Sequence, residues 1–99
     1  MFKNYTLEDI KRIAMPIAEQ FGVEKLALFG SYARGEQHER SDLDFLIEKG
    51  KVQDWYQFYD FVTRLEQDFE MPVDVLTYDS LKESYIYDAI EDEVILYEK

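Results

Sequence analysis

Between Asp42 and Glu48 two kinds of side chain alternate, and this constrains the fold of the chain more than any other feature. Leu43, Phe45 and Ile47 fall on one side of an extended backbone, with Asp42, Asp44 and Leu46 on the other. The segment is expected to be a strand ended by Gly50, with Asp42 and Asp44 projecting from the same face.

The neighbouring segments fill in an α/β layer pattern. Leu7, Ile10, Ile13, Ala14, Ile17, Ala18 and Phe21 recur at helical spacing, after a capping-box pair Thr6/Asp9 and before a stop at Gly22. Pro16 lies inside this run and should kink the helix or break it in two. Lys25 to Phe29 reads as a first strand, and the polar stretch Gly30 to Ser41 as a turn with one helical turn after Ser31. Val52, Trp55, Phe58, Val62, Leu65 and Phe69 mark a second long helix, which Pro72 separates from a strand at Val73–Thr77. Asp79 or Ser80 should cap a third helix running to about Ile90, with Leu81, Ile86 and Ile90 inward. Val94–Tyr97 closes as a short edge strand. The expected architecture is one domain over residues 1–99, a small mixed β-sheet flanked by helices.

Composition narrows the partners. The net charge of −11 leaves no basic footprint for a phosphate backbone, which argues against stable nucleic-acid binding. It suits a basic protein partner or a divalent cation on clustered carboxylates, although many of these acids serve equally well as a solubilising surface. With no cysteine there is no disulfide, thiolate nucleophile or cysteine zinc site. The chain starts Met1-Phe2-Lys3-Asn4 without an apolar leader, and no apolar run approaches a membrane span, so a cytoplasmic protein is expected.

Three carboxylates converge under this topology. The crossover between the Asp42–Glu48 and Val73–Thr77 strands is long enough to make them parallel neighbours, and Asp44 and Asp74 both lie near their strand starts. Close carboxylates repel unless a cation lies between them, and Mg²⁺ or Mn²⁺ commonly takes one or two carboxylates plus substrate phosphates. The first strand should run antiparallel and deliver Gly30-Ser31 to the same edge. A glycine followed by a hydroxyl at a strand-to-helix turn is suited to holding phosphate, through backbone amides and the Ser31 hydroxyl. Triphosphate and metals so placed match two-metal phosphoryl chemistry. Taken singly, the Asp-x-Asp, the Gly-Ser turn and Asp74 are each commonplace surface features.

Phe29-Gly30-Ser31-Tyr32-Ala33-Arg34-Gly35, followed by Ser41-Asp42-Leu43-Asp44-Phe45 and later Val73-Asp74-Val75, resembles the signature of the DNA polymerase beta nucleotidyltransferase superfamily. The likeness covers nearly the whole chain and is nearest to the minimal nucleotidyltransferase (MNT) family. It implies that Asp42 and Asp44 hold two Mg²⁺ ions (or Mn²⁺), that Asp74 helps bind one and positions the nucleophile, and that Gly30 and Ser31 grip ATP. It further implies an antitoxin that moves AMP from ATP onto a tyrosine of a HEPN-domain toxin. The alternatives are transfer to a small-molecule hydroxyl and an antitoxin that only binds. Homo- or hetero-oligomers are compatible with all three.

Other residues carry two readings. Arg34 could contact phosphate or pair with Glu36 or Asp42. His38 reads as a solvated loop residue, and Ser41 as shaping the turn before Asp42. Trp55, Tyr56, Phe58, Tyr59 and Phe61 cover more than one helix face, so part is core and the rest is either a thick core or a partner patch.

Overall fold

The computed structural model describes residues 4–38, 41–82 and 93–99. The element order is α1 (Leu7–Phe21), β1 (Lys25–Phe29), α2 (Ser31–Arg34), β2 (Leu43–Glu48), α3 (Trp55–Phe69), β3 (Val73–Thr77), α4 (Tyr78–Lys82) and β4 (Val94–Glu98). The strands form one mixed sheet in the order β3-β2-β1-β4. β1 is antiparallel to both β2 and β4, and β2 is parallel to β3, as a crossover through α3 requires. β4 is an edge strand, as its position in the sequence suggested.

Local chemistry sets the helix ends. The Thr6 hydroxyl accepts the Asp9 amide at 3.1 Å and the Asp9 carboxylate accepts the Thr6 amide at 3.2 Å, so the capping box forms in full. The same device opens α3. Asp54 accepts the Gln57 amide at 2.8 Å, and the Gln57 side chain accepts from the Asp54 amide at 3.3 Å. The helix therefore starts at Trp55, and Val52 is buried in the turn before it rather than inside the helix.

Pro16 was expected to kink α1 or break it in two, and the break does not occur, α1 being one continuous helix. Pro16 removes the amide that would bond the Arg12 carbonyl, but both residues face solvent, where water can take its place. The cap of α4 is Thr77, not Asp79 or Ser80. Its hydroxyl accepts the Ser80 amide at 3.1 Å and its carbonyl accepts the Ser80 hydroxyl at 2.9 Å, so strand passes into helix without a loop. The expected course of this helix to Ile90, with Ile86 and Ile90 inward, lies outside the described residues.

α1 and α3 pack together on one sheet face. There Ile10, Ala14 and Ile17 meet Phe61, Leu65 and Phe69 above Leu26, Leu28, Leu43, Phe45 and Ile47. Tyr5 ties the far ends of the two helices: its hydroxyl donates to the Phe69 carbonyl at 2.6 Å, and its ring meets Phe69 edge-on at 5.2 Å. The other face carries Ala27 and Leu46 under Tyr78, with Phe29 beside them. Alternation along β2 and β3 puts Asp44 and Asp74 on this second face, away from α1 and α3.

Candidate active site

The carboxylates are placed by register. Asp44 pairs with Asp74 across the parallel β2–β3 ladder, and Phe29 pairs with Asp44 across the antiparallel β1–β2 ladder. The chain leaves β1 at Phe29, so Gly30 and Ser31 arrive beside Asp44. The contact is intimate: a Cβ on Gly30 would overlap the Asp44 carboxylate oxygen and lie 3.2 Å from its Cγ. Gly30 also has φ 79° and ψ −157°, a region open essentially to glycine alone. Backbone conformation and the neighbouring carboxylate thus impose the same residue.

α2 is a single turn of four residues. So short a helix has little dipole, and phosphate would be held by the turn's amides and the Ser31 hydroxyl. Tyr32 anchors this turn, its ring being buried in the main core against the α1 side. Burial, with a lesser contribution from Tyr5, pushes the Tyr32 phenol pKa up. That anchoring role was missed in the sequence, although an aromatic next to Gly30-Ser31 was the available signal.

The three aspartates differ in environment. Asp42 is exposed just ahead of β2, Asp44 is half-buried, and Asp74 is exposed on the edge strand. Burial, then the charge of Asp74 and a hydrogen bond with it, then the charge of Asp42, push the Asp44 pKa up to about 6. All of these effects penalise a second negative charge, and a divalent cation would relieve that penalty. This oxygen-only set fits Mg²⁺ or Mn²⁺. Among the described residues no three acidic or histidine side chains close into a complete metal cage. A cation at Asp42 and Asp44 would therefore take phosphate oxygens to complete its shell.

Arg34 forms an ion pair with Glu36, Nε to Oε2 at 3.2 Å. Its charge also reaches Asp44, where it opposes the upward shift as the smallest of the contributions. The structure thus places Arg34 at the site and shows the pairing with Glu36. His38 is exposed, and Ser41 shapes the turn as expected, its hydroxyl accepting the His38 amide at 2.9 Å.

The chain is similar to known proteins. Residues 8–99 match the polymerase beta nucleotidyltransferase family. The chain belongs to that family. It is 38% identical over 89 residues to a Methanocaldococcus jannaschii protein provisionally named a protein adenylyltransferase, covering 86% of this chain and 96% of that one. It is 36% identical over 81 residues to the protein adenylyltransferase MntA of Thermococcus cleftensis, covering 78% and 82%. In fold it resembles a solved toxin–antitoxin structure with AMP-PNP, at TM-score 0.69 and 18% identity, over 90% of this chain and 73% of that one. It also resembles the complex of tri-AMPylated Shewanella oneidensis HEPN toxin with MNT antitoxin, at TM-score 0.70 and 14% identity, over 95% and 74%. The chain is therefore a nucleotidyltransferase with the mixed-sheet fold of its family. Among the described residues no helix is long and apolar enough to cross a membrane.

Proposed function

We propose that this chain transfers AMP from ATP to a tyrosine hydroxyl of a HEPN-domain toxin and so acts as its antitoxin. The observation that carries the reading is the register of Asp44 against Asp74 with Gly30 in contact with Asp44. Two carboxylates and a phosphate-accepting turn at one sheet edge make an arrangement suited to an ATP–metal complex. The names of the similar adenylyltransferases and of the structurally similar antitoxins supply the protein acceptor.

In this reading Gly30 lets the backbone close on the triphosphate, and Ser31 donates a hydrogen bond to it. Asp42 and Asp44 would hold two Mg²⁺ ions, with Asp74 sharing one. Such ions would supply charge neutralisation at the phosphates and at the departing pyrophosphate. Asp74, exposed on the edge strand, orients the incoming hydroxyl. The oxygen–phosphorus bond to the tyrosine forms as the bond to pyrophosphate breaks, and the hydroxyl proton leaves to an adjacent carboxylate or water. The Arg34 guanidinium would offset negative charge on the phosphates.

The test is intact mass of the HEPN-domain partner after incubation with this chain, ATP and Mg²⁺, beside an Asp42→Asn/Asp44→Asn variant. Addition of one or more AMP units by the native chain alone is the expected outcome. A stable complex with no added mass would leave an antitoxin that works by binding only.

A further inference from the structure

A second surface lies at the opposite end of the sheet. Asp44 and Asp74 sit at the starts of β2 and β3, and Glu48 lies four residues further along β2, roughly 13 Å away at about 3.3 Å per residue. Where β2 and β3 end, an open groove runs between β3 and the start of α3. One half is apolar, lined by Val52, Trp55, Phe58, Val75 and Leu76. The other is polar, lined by Glu24, Glu48, Lys49 and Asp79, with the Lys25 ammonium beside it over the Tyr78 ring and paired with Glu93. Lys49 and Gln53 line both, so the two halves adjoin.

The apolar half leaves large side chains in water. Trp55 is 73% exposed and stacks one face on Phe58, leaving the other free. Tyr56 and Tyr59, 81% and 62% exposed, continue the same helix surface, and Leu76 is 37% exposed on the strand beside it. A contiguous set of Trp, Tyr and Leu left open to solvent is the composition of a protein-binding centre.

We infer that this groove docks a basic amphipathic segment of the partner protein, its apolar anchor against Trp55 and Leu76 and an Arg or Lys beside Glu24 and Glu48. This inference rests on the reading that the acceptor is a protein. Two facts favour this occupant. The lining of the polar half has more carboxylates than ammonium groups, Lys25 beside it being engaged by Glu93, and the whole chain carries −11. A second copy of so acidic a chain would meet repulsion instead. Docking here holds the partner while the carboxylate edge stays open to the hydroxyl that receives AMP.

The experiment measures Kd by calorimetry between the full chain and its purified HEPN-domain partner. Trp55→Ser and Glu48→Lys should each weaken binding by about tenfold or more, and high salt should shrink the effect of Glu48→Lys. Glu8→Lys, the same charge change on exposed α1, should stay within about twofold. With partner at saturation, both groove variants should transfer AMP at the native rate. Unchanged Kd in the groove variants, or an equal loss in Glu8→Lys, overturns the inference. So does a native dimer in sedimentation that Trp55→Ser splits, since the groove would then serve a second copy. Failure of the native chain to label a partner it binds would count against the transferase reading alone, and the Kd series would still judge the groove.

Discussion

Asp44 and Asp74 pair across the parallel ladder of β2 and β3, and after burial the neighbouring Asp74 carboxylate is the largest influence raising the Asp44 pKa. Asp44, the more buried, has its pKa pushed up to about 6 from the ordinary aspartate value of 3.8. A carboxyl held this way is under strain at neutral pH, where it must ionise beside its neighbours.

The sign of the pH effect follows. Because the folded pKa is raised, ionising Asp44 weakens the fold, and the loss accumulates as pH rises from about 4 to about 6. Asp44→Asn removes the charge and keeps the shape. Without metal or nucleotide, its melting temperature should exceed the native value at pH 7 to 8 and converge with it near pH 4, as read by thermal melts across that range.

Gly30→Ala should be far more damaging than Gly35→Ala. Both glycines have positive φ, but a Cβ at Gly35 meets nothing within 4 Å, whereas one at Gly30 runs into the Asp44 carboxylate. Backbone strain alone costs about 1–3 kcal/mol at either position. The additional clash should reduce AMP transfer by at least about a hundredfold in Gly30→Ala only, measured by partner mass over time.

Removal of divalent cation by EDTA should lower AMP transfer by at least about a hundredfold, with recovery on adding Mg²⁺ or Mn²⁺. Nucleotide affinity should fall as well, because phosphate oxygens and carboxylates would then face each other unshielded. Fluorescent-nucleotide titration with and without Mg²⁺ checks this second effect.

Tyr5→Phe keeps the edge-on ring contact with Phe69 and deletes only the hydrogen bond to its carbonyl. The expected loss is about 1 kcal/mol, which for a domain of this size lowers the melting temperature by about 4–8 °C. Calorimetry decides it, and AMP transfer below the transition should be unaffected.

Much of this was legible because it depends on periodicity and crossover length. The alternation at Asp42–Glu48 gave β2 and its faces, and the long connection through α3 made β3 parallel to it, which is enough to bring Asp44, Asp74 and Gly30 together. Whether Pro16 would break α1 or leave it whole was not legible, because its penalty depends on whether the orphaned carbonyl is wet, and a sequence does not say which way that face turns. Thr77 was passed over as a cap because it also ends a strand, and one residue doing both leaves no loop to notice. Trp55 and Phe61 look alike in an aromatic run, yet one is exposed and the other buried. Only the seating of α3 on the sheet separates them. The unequal burial of Asp44 and Asp74 likewise follows from inner and edge positions in the finished sheet.

The alternation along β2 gives one six-residue strand two independent inheritances. Substitution at Asp44 can silence the chemistry while Leu43, Phe45 and Ile47 go on holding the scaffold, so an inactive descendant could persist as a folded binding protein. Insertion or deletion of one residue within the strand has no such latitude, because it would turn the carboxylate inward and the apolar side chains outward in one step. Lineages of this fold should therefore tolerate dead sites far more readily than shifted ones.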